Sequence, residues 1–423
     1  MYYKIQEMTT VRFPMDSALD FAAACGVTKL SEQINQAGTR DAFQNGRLPS
    51  EAAAMIFCAL HREADRNQMG SLAEEILRIL EQGAPEEIEF SFEEEDAIRR
   101  QAASQLERRR GAALTEAEQQ LLREGTYLPI GLAAYACLRA GRSIRMADVA
   151  TAMNLEAIRG ELGAFDARLH ELARPFPGQI QCAANVRCLT EGSKLVTEEG
   201  RRAYGYDKKP RVQDAICVRA TPQTHGGVRD VFHWACRQVQ TDLLQQAEHP
   251  YRTEYACNAL GTALADLAHI SERRSFRLDE TKLSYGLPMN LVPDELGINY
   301  GFPIIQSTQA AEVAELKLLT LPDAAVKCCR ESQPYSAASR ILRILMLLDR
   351  VLAVEILMSA QGMDIVQAKI PDFPAGRGTS AVRARLRQDV TLMDENRFAA
   401  PDMQEAERLV ADGFLAAAAG TLQ

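Results

Sequence analysis

Ser336 to Gln361 reads SAASRILRILMLLDRVLAVEILMSAQ, the most apolar segment of the chain. At ~20 residues for a bilayer span it is long enough to cross a membrane. However, it carries Arg340, Arg343, Asp349, Arg350 and Glu355. Each of these costs ~2.5–3.5 kcal/mol near a bilayer centre. The pattern therefore predicts a long helix buried among other helices, its charges paired or surfacing. Ser336 reads as its N-cap and Gly362 as its stop. At ~1.5 Å per residue it is roughly 40 Å long, more than a small domain needs. We therefore expect it to be too long and apolar for its own chain to cover, which argues for an oligomer.

Working outward, the neighbouring segments also carry helical periodicity. Residues 226–248 place Val228, Val231, Phe232, Ala235, Val239, Leu243 and Leu244 at three-and-four spacing, ending before Pro250. Residues 258–278 align Leu260, Leu264, Leu267 and Ile270, and residues 306–319 make a further helix. No alternating β-branched run exceeds about five residues. Long helices with short connections predict an all-α bundle rather than a sheet. The N-terminal part is helical with a different texture. It holds short amphipathic pieces at 50–63 and 71–82, an acidic stretch at 86–96 and a charged helix running through Arg110. A further helix starts at Thr115 with acidic residues in its first turn. A boundary near residue 125 gives two regions, 1–125 and 126–423.

The 423 residues allow two to four domains at ~100–200 residues each. Apolar residues at 47% and charged residues at 25% are a globular balance and exclude disorder and disulfide scaffolds. The net charge of −9 argues against nucleic acid as the main partner, because phosphate needs a basic face. The opening Met1-Tyr-Tyr-Lys-Ile-Gln-Glu-Met has no apolar h-region, and the ten cysteines make no Cys-x-x-Cys. We expect reduced thiols, a cytoplasmic location and no membrane association.

Common catalytic motifs are absent: no Gly-x-Gly-x-x-Gly, P-loop, His-Glu-x-x-His or Gly-x-Ser-x-Gly occurs. No two of the six histidines sit at i, i+4 on one helix, so no metal site is expected. Cys328-Cys329 reads as a pair of small buried residues. Three local features stand out. The first runs from Leu155-Glu156-Ala157-Ile158-Arg159-Gly160 through Ala164-Phe165-Asp166 to Pro177-Gly178-Gln179 and Ala183-Ala184-Asn185. The second is Val212-Gln213-Asp214-Ala215-Ile216-Cys217-Val218-Arg219 followed by Thr221-Pro222-Gln223-Thr224-His225-Gly226. The third is Ile270-Ser271-Glu272-Arg273-Arg274.

Taken together and in this order, these motifs resemble the aromatic amino acid ammonia-lyases, the histidine ammonia-lyases above all. Gly297 to Phe302 is similar to the family's Gly-Val-Asn-Ser-Gly-Phe loop. Val351 to Glu355 with Gln361 to Asp364 resembles the end of its long core helix, and Asp394 to Phe398 with Ala400-Pro401-Asp402 its C-terminal signature. The resemblance runs from about Gly131 to about Leu415. It implies a long-helix bundle of the ammonia-lyase type, with residues 1–125 a divergent helical region.

The family eliminates ammonia from an aromatic amino acid, using a methylideneimidazolone formed from an internal Ala-Ser-Gly. No Ala-Ser-Gly occurs in this sequence; the nearest string is Ala24-Cys25-Gly26, in different surroundings, which reads as a small-residue helix end. The family's Tyr-Gly-x-Asn-x-Gly loop with its tyrosine base also has no counterpart, and Ile216 stands where the family usually has tyrosine. The family's acidic Asn-Gln-Glu-Asp-His loop falls on Glu331 or Ser332. Catalytic residues are thus unassigned. Two substrate-site residues are carried over, Arg219 for the substrate carboxylate and Gln213 as a hydrogen-bonding partner. Asp214 reads as a brace for the loop.

The resemblance implies a subunit of a homo- or hetero-tetramer. In the hetero-oligomeric form it would contribute Gln213 and Arg219 to a lyase whose methylideneimidazolone comes from another chain, with a small amino acid as ligand and no cofactor of its own. The alternative is a catalytically degenerate homologue kept as a binding, regulatory or assembly scaffold. A third reading is a stand-alone enzyme that uses Cys25 or tyrosines such as Tyr204, Tyr206 or Tyr285.

Overall fold

The computed structural model describes residues 18–31, 46–207, 211–245, 249–292, 298–322 and 333–413. Among these the chain is all-α apart from one two-residue strand pair, as the periodicity predicts. In chain order the elements are α1 Ala18–Ala24, β1 Arg47–Leu48, α2 Ser50–Arg66, α3 Gly70–Gln82 and β2 Ile88–Glu89. Next come α4 Glu95–Arg110, α5 Glu116–Glu124, α6 Tyr127–Ala157, α7 Pro177–Leu189, α8 Glu198–Tyr204 and the short turn α9 Ile216–Arg219. Last come α10 Thr221–Gln245, α11 Tyr251–Leu278, α12 Pro303–Leu319, α13 Pro334–Lys369, α14 Arg377–Leu386 and α15 Ala400–Ala411. No helix of the described residues is long and apolar enough to cross a membrane.

The chain forms two compact units, each assembled from three segments. The first takes residues 1–141, 231–262 and 319–346. Its centre is α2, whose alanine-rich stretch Ala52 to Leu60 is buried throughout. Small side chains there let backbones meet: a Cβ on Gly131 would lie 2.6 Å from Ile56 Cα. Thr115 begins α5 with a full capping box to Glu118, and Gly111 ends α4 in the left-handed region, at φ 70°. The acidic stretch expected at 86–96 is partly β2, which pairs antiparallel with β1, Leu48 opposite Ile88. It is held in place by Tyr335, whose hydroxyl donates to Ser91 O at 2.6 Å.

The second unit takes residues 142–230, 263–318 and 347–423 and holds the sequence motifs. Helix α7 crosses α10 glycine to glycine, since a Cβ on Gly178 would fall 2.3 Å from Gly226 O. Below this crossing, Asp148 accepts from Asn185 Nδ2 (2.8 Å), His225 Nδ1 (2.8 Å) and Arg229 Nη2 (2.5 Å), tying α6, α7 and α10 together. Glu156 at the end of α6 accepts from Gly376 N at 2.6 Å and from the Thr379 hydroxyl.

Three expectations about the long apolar helix are corrected. It starts at Pro334, with Ser336 inside its first turn rather than at its cap. It also runs through Gly362 to Lys369. Gly362 is there for packing: a Cβ would meet Ala157 Cβ at 3.0 Å and Leu287 Cδ1 at 3.2 Å. Finally, Val351 to Gln361 are all buried within the chain itself. That stretch is covered without a second copy, contrary to the expectation that its own chain would leave it bare. The charges of the helix are held or surface, as expected: Ser143 Oγ donates to Asp349 at 2.6 Å, Arg350 meets Glu407 at 3.0 Å, and Arg343 is exposed.

Candidate functional site

The segment from Arg211 to Thr221 connects α8 to α10 and carries both candidate ligand-binding residues. Asp214 is buried at its base. One carboxylate oxygen accepts from Glu161 N at 2.6 Å and the other from Arg211 Nη1 at 3.2 Å. Only a small residue fits at 160, because a Cβ there would lie 3.0 Å from Asp214 Oδ2 and 2.4 Å from Leu155 Cδ1. Arg211 pairs with Asp207 at 2.7 Å, donates to Ile158 O at 3.0 Å and stacks 3.4 Å from the Tyr285 ring. Arg159 is buried over the Tyr204 ring at 3.8 Å, and burial draws its pKa down to about 10. The Arg159-Gly160 motif and the second motif thus build one rigid base. Asp214 braces the loop, as read from the sequence.

The α9 turn is fixed from beneath by a buried ion pair. Arg274 Nε and Nη2 meet Glu355 Oε1 and Oε2 at 2.5 and 2.9 Å, both side chains being fully buried. Ser271 Oγ adds a bond to Glu355 Oε2 at 2.6 Å. The third motif and the end of the long helix therefore meet under the second motif. This pairing escaped sequence reasoning. The available signal was an arginine and a glutamate inside helices of otherwise apolar environment, residues that are almost never buried unless paired.

Above this base the backbone alternates. Asp214 and Val218 point inward, while Gln213, Ile216 and Arg219 are exposed. Ile216 is 68% exposed and Val212 96%. Among the described residues, the Arg219 guanidinium and the Gln213 amide have no hydrogen-bond or ion-pair partner. Gln213, Ile216 and Arg219 are thus each exposed on the segment between α8 and α10, Ile216 and Arg219 lying at the two ends of the α9 turn.

Other residues singled out in the sequence fare differently. Cys25 follows α1 at a helix end, 1% exposed, and burial pushes its thiol pKa far up, so it offers no reactive thiolate. Ala24-Cys25-Gly26 stands as a small-residue helix end, with Gly26 N donating to Ala23 O at 3.0 Å. Tyr204 Oη donates to Gly286 O at 2.9 Å, and burial raises its pKa, as it does that of Tyr285. Neither is poised as a base. Gly301 at φ 71° packs so tightly that a Cβ would lie 2.3 Å from Asn290 O, and Asn299 Nδ2 donates to Asp394 O at 3.0 Å. That joins the glycine loop to the C-terminal signature. Gly297, Cys328, Cys329, Glu331 and Ser332 lie outside the described residues.

Asp148, Cys182 and His225 place a carboxylate oxygen, a sulfur and a ring nitrogen within 4.8 Å of one another. Arg229 already supplies the cation to Asp148. Burial, then the Asp148 charge, pushes the Cys182 thiol up. Asp148 already accepts from Asn185, His225 and Arg229.

A family model described as aromatic amino acid lyase matches residues 90–388. Histidine ammonia-lyase of Chloroflexus aurantiacus is 34% identical over 327 residues, 70% of this chain and 61% of the relative. Histidine ammonia-lyase of Alkaliphilus oremlandii is 31% identical over 330 residues, 72% of this chain and 62% of the relative. The chain thus spans less than two-thirds of the length of these curated relatives. Tyrosine aminomutase from Streptomyces globisporus shares the fold with TM-score 0.78 at 22% identity, over 97% of this chain and 86% of its own. Histidine ammonia-lyase from Trypanosoma cruzi does so with TM-score 0.72 at 21% identity, over 99% and 85%. The likeness in fold therefore extends beyond residues 90–388 to the N-terminal helices.

Proposed function

Because this chain belongs to the aromatic amino acid lyase family, we propose that it is a carboxylate-binding subunit of a hetero-oligomeric ammonia-lyase. In this reading it contributes Arg219 and Gln213 to an active site whose methylideneimidazolone is supplied by another chain. The observation that carries the reading is an exposed guanidinium, without a partner among the described residues, on a rigidly braced loop. Arg211, Arg229 and Arg274, which hold the structure beneath it, each pair with a carboxylate of this chain. Arg219 is instead held outward, where its fork can take both oxygens of a substrate carboxylate. Gln213 can donate to or accept from the same ligand. Val212 and Ile216 beside them are apolar surface of the kind another chain covers.

The sequence carries no Ala-Ser-Gly, so in this reading its part is confined to binding and orienting. Fixing the carboxylate orients the amino acid before the chemical step, which is where positioning residues act. The test is co-expression with a family member that carries Ala-Ser-Gly. Co-purification, together with activity on histidine, phenylalanine or tyrosine that rises on adding this chain and falls with Arg219→Ala, supports the reading. Absence of both association and any change in activity removes it and favours the scaffold alternative.

A further inference from the structure

We propose that the buried Arg274–Glu355 pair is a positioning device for Arg219. Its use in carboxylate binding rests on the function proposed above; the positioning itself does not. Two of the three guanidinium nitrogens of Arg274 are consumed by Glu355. The third, Nη1, is turned toward the α9 turn, 3.5 Å from Cys217 O and 3.4 Å from Thr221 Oγ1. Thr221 Oγ1 in turn donates to Cys217 O at 3.3 Å, and Cys217 Sγ lies 3.7 Å from Arg273 O. Cys217 and Thr221 bracket Arg219 by two residues on either side. The backbone that presents Arg219 is therefore stitched at both ends to a point that cannot move without breaking a buried ion pair.

A four-residue helical turn has little stability of its own, since nucleation is unfavourable and few bonds repay it. Arg219 also gets no help from its own side chain, which is exposed and has no partner among the described residues. Its direction must be set by what grips the turn. Glu355 holds the Arg274 plane in a fixed orientation through two bonds, and Ser271 fixes Glu355 by a third. A buried ion pair is seldom retained for stability alone, because an apolar pair of similar volume often does as well. An apolar pair, however, supplies no directed donor to Cys217 O and Thr221 Oγ1.

The test uses the full chain with the double variant Arg274→Met/Glu355→Leu, which replaces the pair by apolar groups, and with Thr221→Val, which keeps the pair and removes the hydroxyl. Hydrogen exchange followed by mass spectrometry reads the amides of residues 216–221. In both variants these amides are expected to exchange about tenfold faster while peptides from α6 stay at wild-type rates. Cinnamate, an aromatic carboxylate probe, should bind about tenfold more weakly to both than to the wild type. A double variant of wild-type helicity whose 216–221 amides exchange at wild-type rates overturns the positioning. Should the double variant not fold, the same result for Thr221→Val overturns it. If the wild-type chain binds no cinnamate while exchange accelerates as expected, the carboxylate reading fails and the positioning stands.

Discussion

Arg219 and His225 lie six residues apart and are treated in opposite ways. Arg219 is displayed, so Arg219→Ala should leave thermal stability nearly unchanged, within ~0.5 kcal/mol, while abolishing binding of a carboxylate ligand in calorimetry. A large loss of stability would show that it packs structurally after all. His225 is fully buried, and burial outweighs the attraction of Asp148, lowering its pKa to about 4 from an ordinary 6.5. For Asp148, desolvation opposes ionisation, but Arg229, with His225 and Asn185, outweighs it and holds the carboxyl below its usual range. The folded state therefore keeps His225 neutral while the unfolded chain protonates it below pH 6.5. Stability should fall as pH drops from 6.5 to about 4, by on the order of 3 kcal/mol at ~1.4 kcal/mol per unit. Loss of the Asp148 bonds extends the decline below pH 4. His225→Asn, whose amide can still reach Asp148, should flatten the upper part of that slope in urea titrations. A slope as steep as wild type would assign the dependence to other groups.

At the scale of elements, glycine sets how closely helices cross. Gly226 and Gly227 are neighbours in α10, yet only Gly226 touches α7. Gly178→Ala on α7 drives a methyl against Gly226 O and should destabilise the chain by ~1–3 kcal/mol. Gly227→Ala meets nothing within 4 Å. It should stabilise by ~0.5–1 kcal/mol, because alanine is the better helix former. Equilibrium denaturation of both variants checks the contrast, and equal effects would dismiss the crossing as its cause. Of the helices at this crossing only α10 was legible in the sequence, because its apolar residues at three-and-four spacing mark a buried stripe; Pro177-Gly178-Gln179, which opens α7, reads as a motif and not as a helix. Helix ends were not legible. Gly362 reads as a helix stop in isolation, but it is an interior packing site because Ala157 and Leu287 leave no room for a side chain. Likewise Ser336 looks like a cap only until the preceding Pro334 is seen to start the helix.

At the scale of the whole molecule, the surface around Arg219 is where another chain is expected. Ile216→Asp adds a charge at an exposed position, so the chain should keep its wild-type helicity and melting temperature. It should nevertheless lose co-purification with an Ala-Ser-Gly-bearing family member, because a charge in a covered apolar contact is costly. Retained association would place the contact elsewhere. The sequence by itself determined the helical class and the family. Those properties follow from periodicity and from motif order, both of which are local along the chain. Only the tertiary structure decided that the Val351 to Gln361 stretch of the long apolar helix is covered by its own chain. It alone joined Arg274 to Glu355 under the loop and showed Arg219 without a partner among the described residues. The pairing of Arg274 with Glu355 is a contact between positions 81 residues apart, and no single stretch of sequence encodes the meeting of two others.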